Sequence, residues 1–171
     1  LHLTRFNGSL EIKVNIPDLR DSTVFLAYHL GDKQYVKDTI NLDNKGNGIF
    51  TGTEDLPQGI YMIVIPGNRY FEILMPADQF FSVICSYTDY FKTLKFTGSD
   101  ENSAFVDYQR TWVSMQEKSG KLNSRFKANK QNPDSLKVLN ELAAENEKKM
   151  RSYLATVVDK NKGTLLSVVV K

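Results

Sequence analysis

Phe96-Thr97-Gly98-Ser99-Asp100-Glu101-Asn102 is the stretch at which the hydrophobic period of this 171-residue chain changes. Before it, apolar side chains alternate with polar ones, as on half-buried strands. After it, they recur every three or four residues, as on one face of a helix. Ser99 is the residue type of an N-cap. Asp100 and Glu101 set carboxylates in the first turn, where the helix dipole favours them.

Upstream, short apolar runs separated by turn chemistry predict about eight strands. Residues 9–16 alternate, with Leu10, Ile12, Val14 and Ile16 on one face, and Pro17-Asp18 ends the run. Further strands are expected at 23–29 and 33–42, then one that begins at Ile49-Phe50-Thr51 and is broken by Leu56-Pro57-Gln58-Gly59, then at 60–65, 70–75, 80–85 and 94–97. The run 60–65 is almost entirely apolar, as a strand covered on both faces would be. Asp43-Asn44-Lys45-Gly46-Asn47-Gly48 reads as a tight hairpin turn.

Downstream, Phe105, Tyr108, Trp112, Met115, Leu122 and Phe126 form a stripe broken at Ser119. Asn132-Pro133 restarts it as N-cap and N1. Leu136, Leu139, Ala143, Met150, Tyr153 and Val157 follow, with Asn146 the polar seam position and Gly163 a fitting C′ residue. This predicts an αα-hairpin with helices roughly 40 Å long, its seam most buried at Trp112. The fold class is therefore α+β. An antiparallel β-sandwich or barrel-like sheet covers 1–98, a long helical hairpin covers 99–163, and a further element begins over 164–171.

Composition narrows the function classes. Hydrophobic residues are 41% and charged residues 25%, ordinary for a globular chain. No apolar run approaches the roughly 18–20 residues that span a bilayer. The opening Leu1-His2-Leu3-Thr4-Arg5 carries no signal peptide, although a mature chain could begin so. Basic and acidic residues are interleaved and the net charge is +2, which argues against nucleic-acid binding. The apolar end, Leu165-Leu166-Ser167-Val168-Val169-Val170, leads us to expect that the natural protein continues.

Candidate chemistry is sparse. Asp43, Asn47, Gly48 and Glu54 fall on positions 1, 5, 6 and 12 of a calcium loop, with Phe50 at position 8. Lys45 sits at position 3, however, and the flanks alternate like strands, so a turn is expected. His2 and His29 have no ligand partner at useful spacing. Cys85 lies in an apolar strand, as an inert buried thiol would. Asp78, Asp89 and Asp107 offer no spacing that makes an acid/base pair. No catalytic, cofactor-binding or metal-ligating residue is expected. Tyr70-Phe71, Phe80-Phe81 and Tyr87-Thr88-Asp89-Tyr90-Phe91 place adjacent aromatics on strands, serving either the core or an exposed surface for a ligand or partner.

Four stretches carry a resemblance. They are Gly31-Asp32-Lys33-Gln34-Tyr35-Val36-Lys37-Asp38, Leu56-Pro57-Gln58-Gly59-Ile60-Tyr61, Tyr70-Phe71-Glu72-Ile73-Leu74, and Phe96 through Asn102 with Tyr108-Gln109. Together they resemble a bacterial cell-envelope family with an N-terminal β-domain of unknown function and a helical segment. A C-terminal thioredoxin-like domain of the thiol–disulfide oxidoreductase or peroxiredoxin-related type follows in that family. The resemblance implies a periplasmic or envelope location, often with lipid anchoring, and redox chemistry in the C-terminal domain. No CxxC occurs here, so no catalytic residue carries over. The expected role is a non-catalytic accessory module that positions a thioredoxin-like domain or recognises its client. A homodimer through the helices is also open. The alternative is a stand-alone envelope domain that binds glycan or peptide on its aromatic sheet.

Overall fold

The computed structural model describes residues 9–170. The described residues are α+β, with eight strands and one short helix followed by two long helices and a last short one. In order these are β1 (Leu10–Asn15), β2 (Thr23–Leu30), β3 (Lys33–Asn41), β4 (Asn47–Gly52), β5 (Gly59–Ile65), β6 (Arg69–Met75), β7 (Phe80–Ile84), α1 (Tyr90–Thr93) and β8 (Lys95–Thr97). Then come α2 (Asp100–Ala128), α3 (Pro133–Lys160) and α4 (Leu165–Val169). Two compact units divide the chain, one ending at Val106 and the other starting at Asp107. The boundary falls inside α2, so the first turns of that helix belong with the strands.

In the first unit the strands form two four-stranded sheets, ordered β4-β1-β7-β8 and β3-β2-β5-β6. They stack as an open sandwich, not a closed barrel. Ile12, Val14, Phe50, Phe81 and Val83 of the first sheet share one core with Val24, Leu26, Ile63, Phe71 and Ile73 of the second. The period-2 pattern does this directly: every second side chain of β1 faces inward. β5 lies between β2 and β6, with Tyr61, Ile63 and Ile65 in the shared core and Met62 buried on the opposite face.

Three features depart from the sequence expectation. The pairing of β1 with β7 is parallel, with Ile12 opposite Phe81. Every other pairing among the described residues is antiparallel. No hairpin joins β1 and β7, so nothing local fixes their relative direction. The turn at Asp43 is tight, yet it carries the chain from one sheet to the other instead of closing a hairpin. Gly46 docks on the end of β1, where Ile16 N–H donates to its carbonyl at 2.8 Å. Its φ is +78°, and a Cβ there would lie 1.9 Å from the Ile16 carbonyl oxygen. Third, Tyr90 and Phe91 lie on the one-turn helix α1, and Tyr87 lies in the loop before it. Side-chain bonds hold that turn: Thr93 Oγ1 donates to Asp89 O at 2.8 Å and accepts from Ser86 N at 2.8 Å. Such local bonds compete with strand pairing.

The second unit contains the rest of α2, then α3 and α4. Asn132 caps α3, its Oδ1 accepting from Ser135 N at 3.1 Å, and Pro133 follows at N1. Asn161 is the C-cap, which places the positive-φ Gly163 one residue beyond C′. Trp112 is half-buried; the fully covered seam positions on α3 are Leu139 and Val157. A pair of helices shares one line of contact, and an indole on its shoulder stays partly open. Stacking compensates in part: Trp112 lies 6.2 Å from Tyr108, which lies 6.4 Å from Tyr153 across the hairpin. No helix among the described residues is long and apolar enough to cross a membrane.

Candidate functional site

Asp43, the first position of the candidate calcium loop, takes a local structural role. Asp43 Oδ1 accepts from Lys45 N at 2.8 Å and Asn47 N at 2.9 Å. The Asn47 bond, then the Lys45 bond, holds its carboxyl below the usual range. That carboxylate closes a turn between strands. Among the described residues no group of three or more His, Cys, Asp or Glu is arranged to hold a metal ion. His29 is exposed, with Gln34 Nε2 3.5 Å from its Nε2. His2 lies outside the described residues. Asp78 accepts from Phe80 N at 3.3 Å, and Asp89 pairs with Lys92 at 3.7 Å, at opposite ends of β7. Asp107 is exposed.

Cys85 is 3% exposed in the inter-sheet core, and its thiol is pushed up to about 12. Burial is the larger cause and the nearby Asp18 charge the smaller. A thiol in that state is almost wholly protonated near neutrality, and the thiolate is the reactive form.

The adjacent aromatics split between faces. Phe71 and Phe81 are buried, whereas Tyr70 is 47% exposed and Phe80 half-buried. The exposed Tyr35 stacks on Tyr28 at 5.7 Å, and Tyr28 lies 5.9 Å from Tyr61 in the core. Tyr35 and Tyr70 stand on the two edge strands of one sheet and on opposite faces of it. They do not form one platform.

Sequence reasoning missed three polar devices in the first unit. Asn102, fully buried, accepts from Leu74 N at 2.7 Å and donates to Leu74 O at 2.9 Å. Its side chain thus completes the free edge of β6 as another strand would. Gln79 does the same for Leu56, accepting from its N at 2.8 Å and donating to its O at 2.7 Å. Asp18 clamps the loop before α1, accepting from Tyr87 N at 2.6 Å and Thr88 N at 3.3 Å. Ser99 fills its expected N-cap role, with Oγ accepting from Asn102 N at 3.3 Å.

The second unit holds the remaining candidate surface. The two interruptions of its apolar stripes meet, Asn146 Nδ2 donating to Ser119 Oγ at 2.7 Å. Beside that pair, α2 and α3 enclose a groove of about 340 Å3. Lys118, Lys121 and Arg125 line one wall, Lys149 and Glu145 the other, with Leu122 and Leu142 between them. The near-neutral chain also proves to be divided in charge. Residues 1–106 carry nine Lys and Arg against thirteen Asp and Glu, a net −4. Residues 107–171 carry thirteen against seven, a net +6.

A two-sheet sandwich with a basic helical hairpin, held by structural side chains, is thus the class of protein at hand. Residues 10–105 match the family described as Domain of unknown function (DUF4369), and the chain belongs to that family. The matched span ends one residue before the boundary of the first unit. No curated protein matches the chain.

Proposed function

We propose that this chain is a non-catalytic accessory or interaction module of a cell-envelope thioredoxin-like thiol–disulfide oxidoreductase, whose redox domain lies C-terminal to it. Cys85 carries this reading. The single cysteine of the chain is buried and protonated, so a redox activity of the whole protein would have to come from other residues. The resemblance of the four sequence stretches supports the thioredoxin link and the periplasmic or lipid-anchored location. The alternative, a stand-alone glycan- or peptide-binding sheet, gains little from Tyr35 and Tyr70 on opposite faces.

The direct test is the reading frame beyond Lys171. A CxxC followed by a cis-proline region is expected, and a stop codon would sink the proposal. The 171-residue chain itself should not reduce insulin disulfides, and Cys85→Ser should behave identically. Turnover above a boiled control that vanishes in Cys85→Ser would overturn the non-catalytic assignment.

A further inference from the structure

We propose that the groove between α2 and α3 is a docking site for an acidic amphipathic helix of a partner protein. Lys118, Lys121 and Arg125 follow i, i+3, i+7 spacing on α2, a single stripe about 10 Å long. Among the described residues their side chains form no ion pair, whereas Lys149 opposite them is tied to Glu145 at 2.5 Å. A run of unpaired cations at helical spacing matches carboxylates at the same spacing on an apposed helix.

The groove also has an apolar component. Leu142 is 37% exposed within it, and Val138, one turn earlier on α3, is 52% exposed. Two packed helices present such a trough to a third, and laying an amphipathic helix into it is a recurring mode of recognition. Charge selects among occupants. A second copy docked groove to groove would bring two basic units together, each carrying +6, and like-charge contact disfavours that arrangement. An acidic partner gains both steering and register. The proposal holds whatever follows Lys171, so its failure and that of the thioredoxin-linked reading are separate events.

The test uses the 171-residue chain and a fluorescein-labelled peptide with leucines at heptad a and d and glutamates on the adjoining face. Binding is read by anisotropy, and circular dichroism checks that each variant keeps its fold. The triple variant Lys118→Glu/Lys121→Glu/Arg125→Glu should weaken binding by about tenfold or more. Replacing the glutamates with glutamine, or scrambling the peptide at constant composition, should weaken it comparably. The milder Lys118→Gln/Lys121→Gln/Arg125→Gln serves if the first variant misfolds. Equal binding of the scrambled peptide, or affinity unchanged in the variants, would overturn the proposal. It also fails if phosphatidylglycerol vesicles capture the chain while the peptide does not bind. A dimer in sedimentation that the triple variant abolishes would mean a second copy occupies the groove instead.

Discussion

The β unit encloses its apolar residues, whereas the helical unit lines most of them along a half-open seam. Ile12, Ile16, Val24, Leu26, Phe50, Ile63 and Ile73 are completely buried between the sheets. In the helical unit Trp112, Met115, Leu122 and Phe126 are half-buried, and Val138 is mostly exposed. Two stacked sheets shield each other over an area, but two helices shield each other along a line. The difference separates a self-sufficient core from a scaffold with surface to offer, and the family match follows the former.

The largest effect should come from the enclosed core. Phe50→Ala removes a fully buried aromatic and should cost about 3–5 kcal/mol in denaturant unfolding. A loss below about 1 kcal/mol would mean that the sandwich is far looser than its burial implies, and the contrast between the units would collapse.

Next comes the edge of β6. Asn102→Ala leaves the outward N–H and C=O of Leu74 without their amide partner, and a buried unpaired polar group costs about 1–3 kcal/mol. Asn102→Asp is the sharper variant, because a carboxylate can accept from Leu74 N but cannot donate to Leu74 O. It should recover little of the loss. Full recovery would show that only one of the two bonds matters.

Trp112→Ala probes the open seam. A half-buried side chain falls within the ordinary mutational range, so a loss of about 1–2 kcal/mol is expected, below that of Phe50→Ala. Iodide should quench the native indole partially. Complete shielding from iodide would mean that the seam is closed around Trp112, and the contrast between the units would weaken.

What was legible in the sequence follows the same physical division. Burial on one face imposes a period, so β1 and the α2 and α3 stripes could be read from residues such as Ile12, Val14, Leu139 and Val157. Direction and partner choice leave no such trace. Nothing near Ile12 indicates that it lies opposite Phe81 in a parallel pair, nor that the chain changes sheets at Gly46. Asn102 and Gln79 were invisible for another reason: a polar side chain reads as a surface residue until the backbone it satisfies is known. Asn146 was the exception. It interrupted a periodic stripe, and its partner Ser119 marks the other interruption.

The smallest effect should be the acid response of the β unit, set partly by Asp18. This exposed carboxylate is held below its usual range first by the Tyr87 N–H and further by Thr88 N–H and the Ser86 hydroxyl. A depressed folded value means that the clamp contributes fully above the unfolded value of about 3.9. The contribution is lost as pH falls through the lower folded value. Solvent screening keeps it small at an exposed site. Asp18→Asn should therefore lower the thermal midpoint slightly at pH 7 and by less as the pH falls below the unfolded value, so the two curves converge on acidification. Asp43 is depressed in the same direction by its own turn and remains in both proteins, so the acid limb should flatten without disappearing. Parallel curves from pH 7 to pH 2.5 would show that the Asp18 charge does not hold the loop before α1, leaving the neutral bonds of Thr93 and Ser86 to do so.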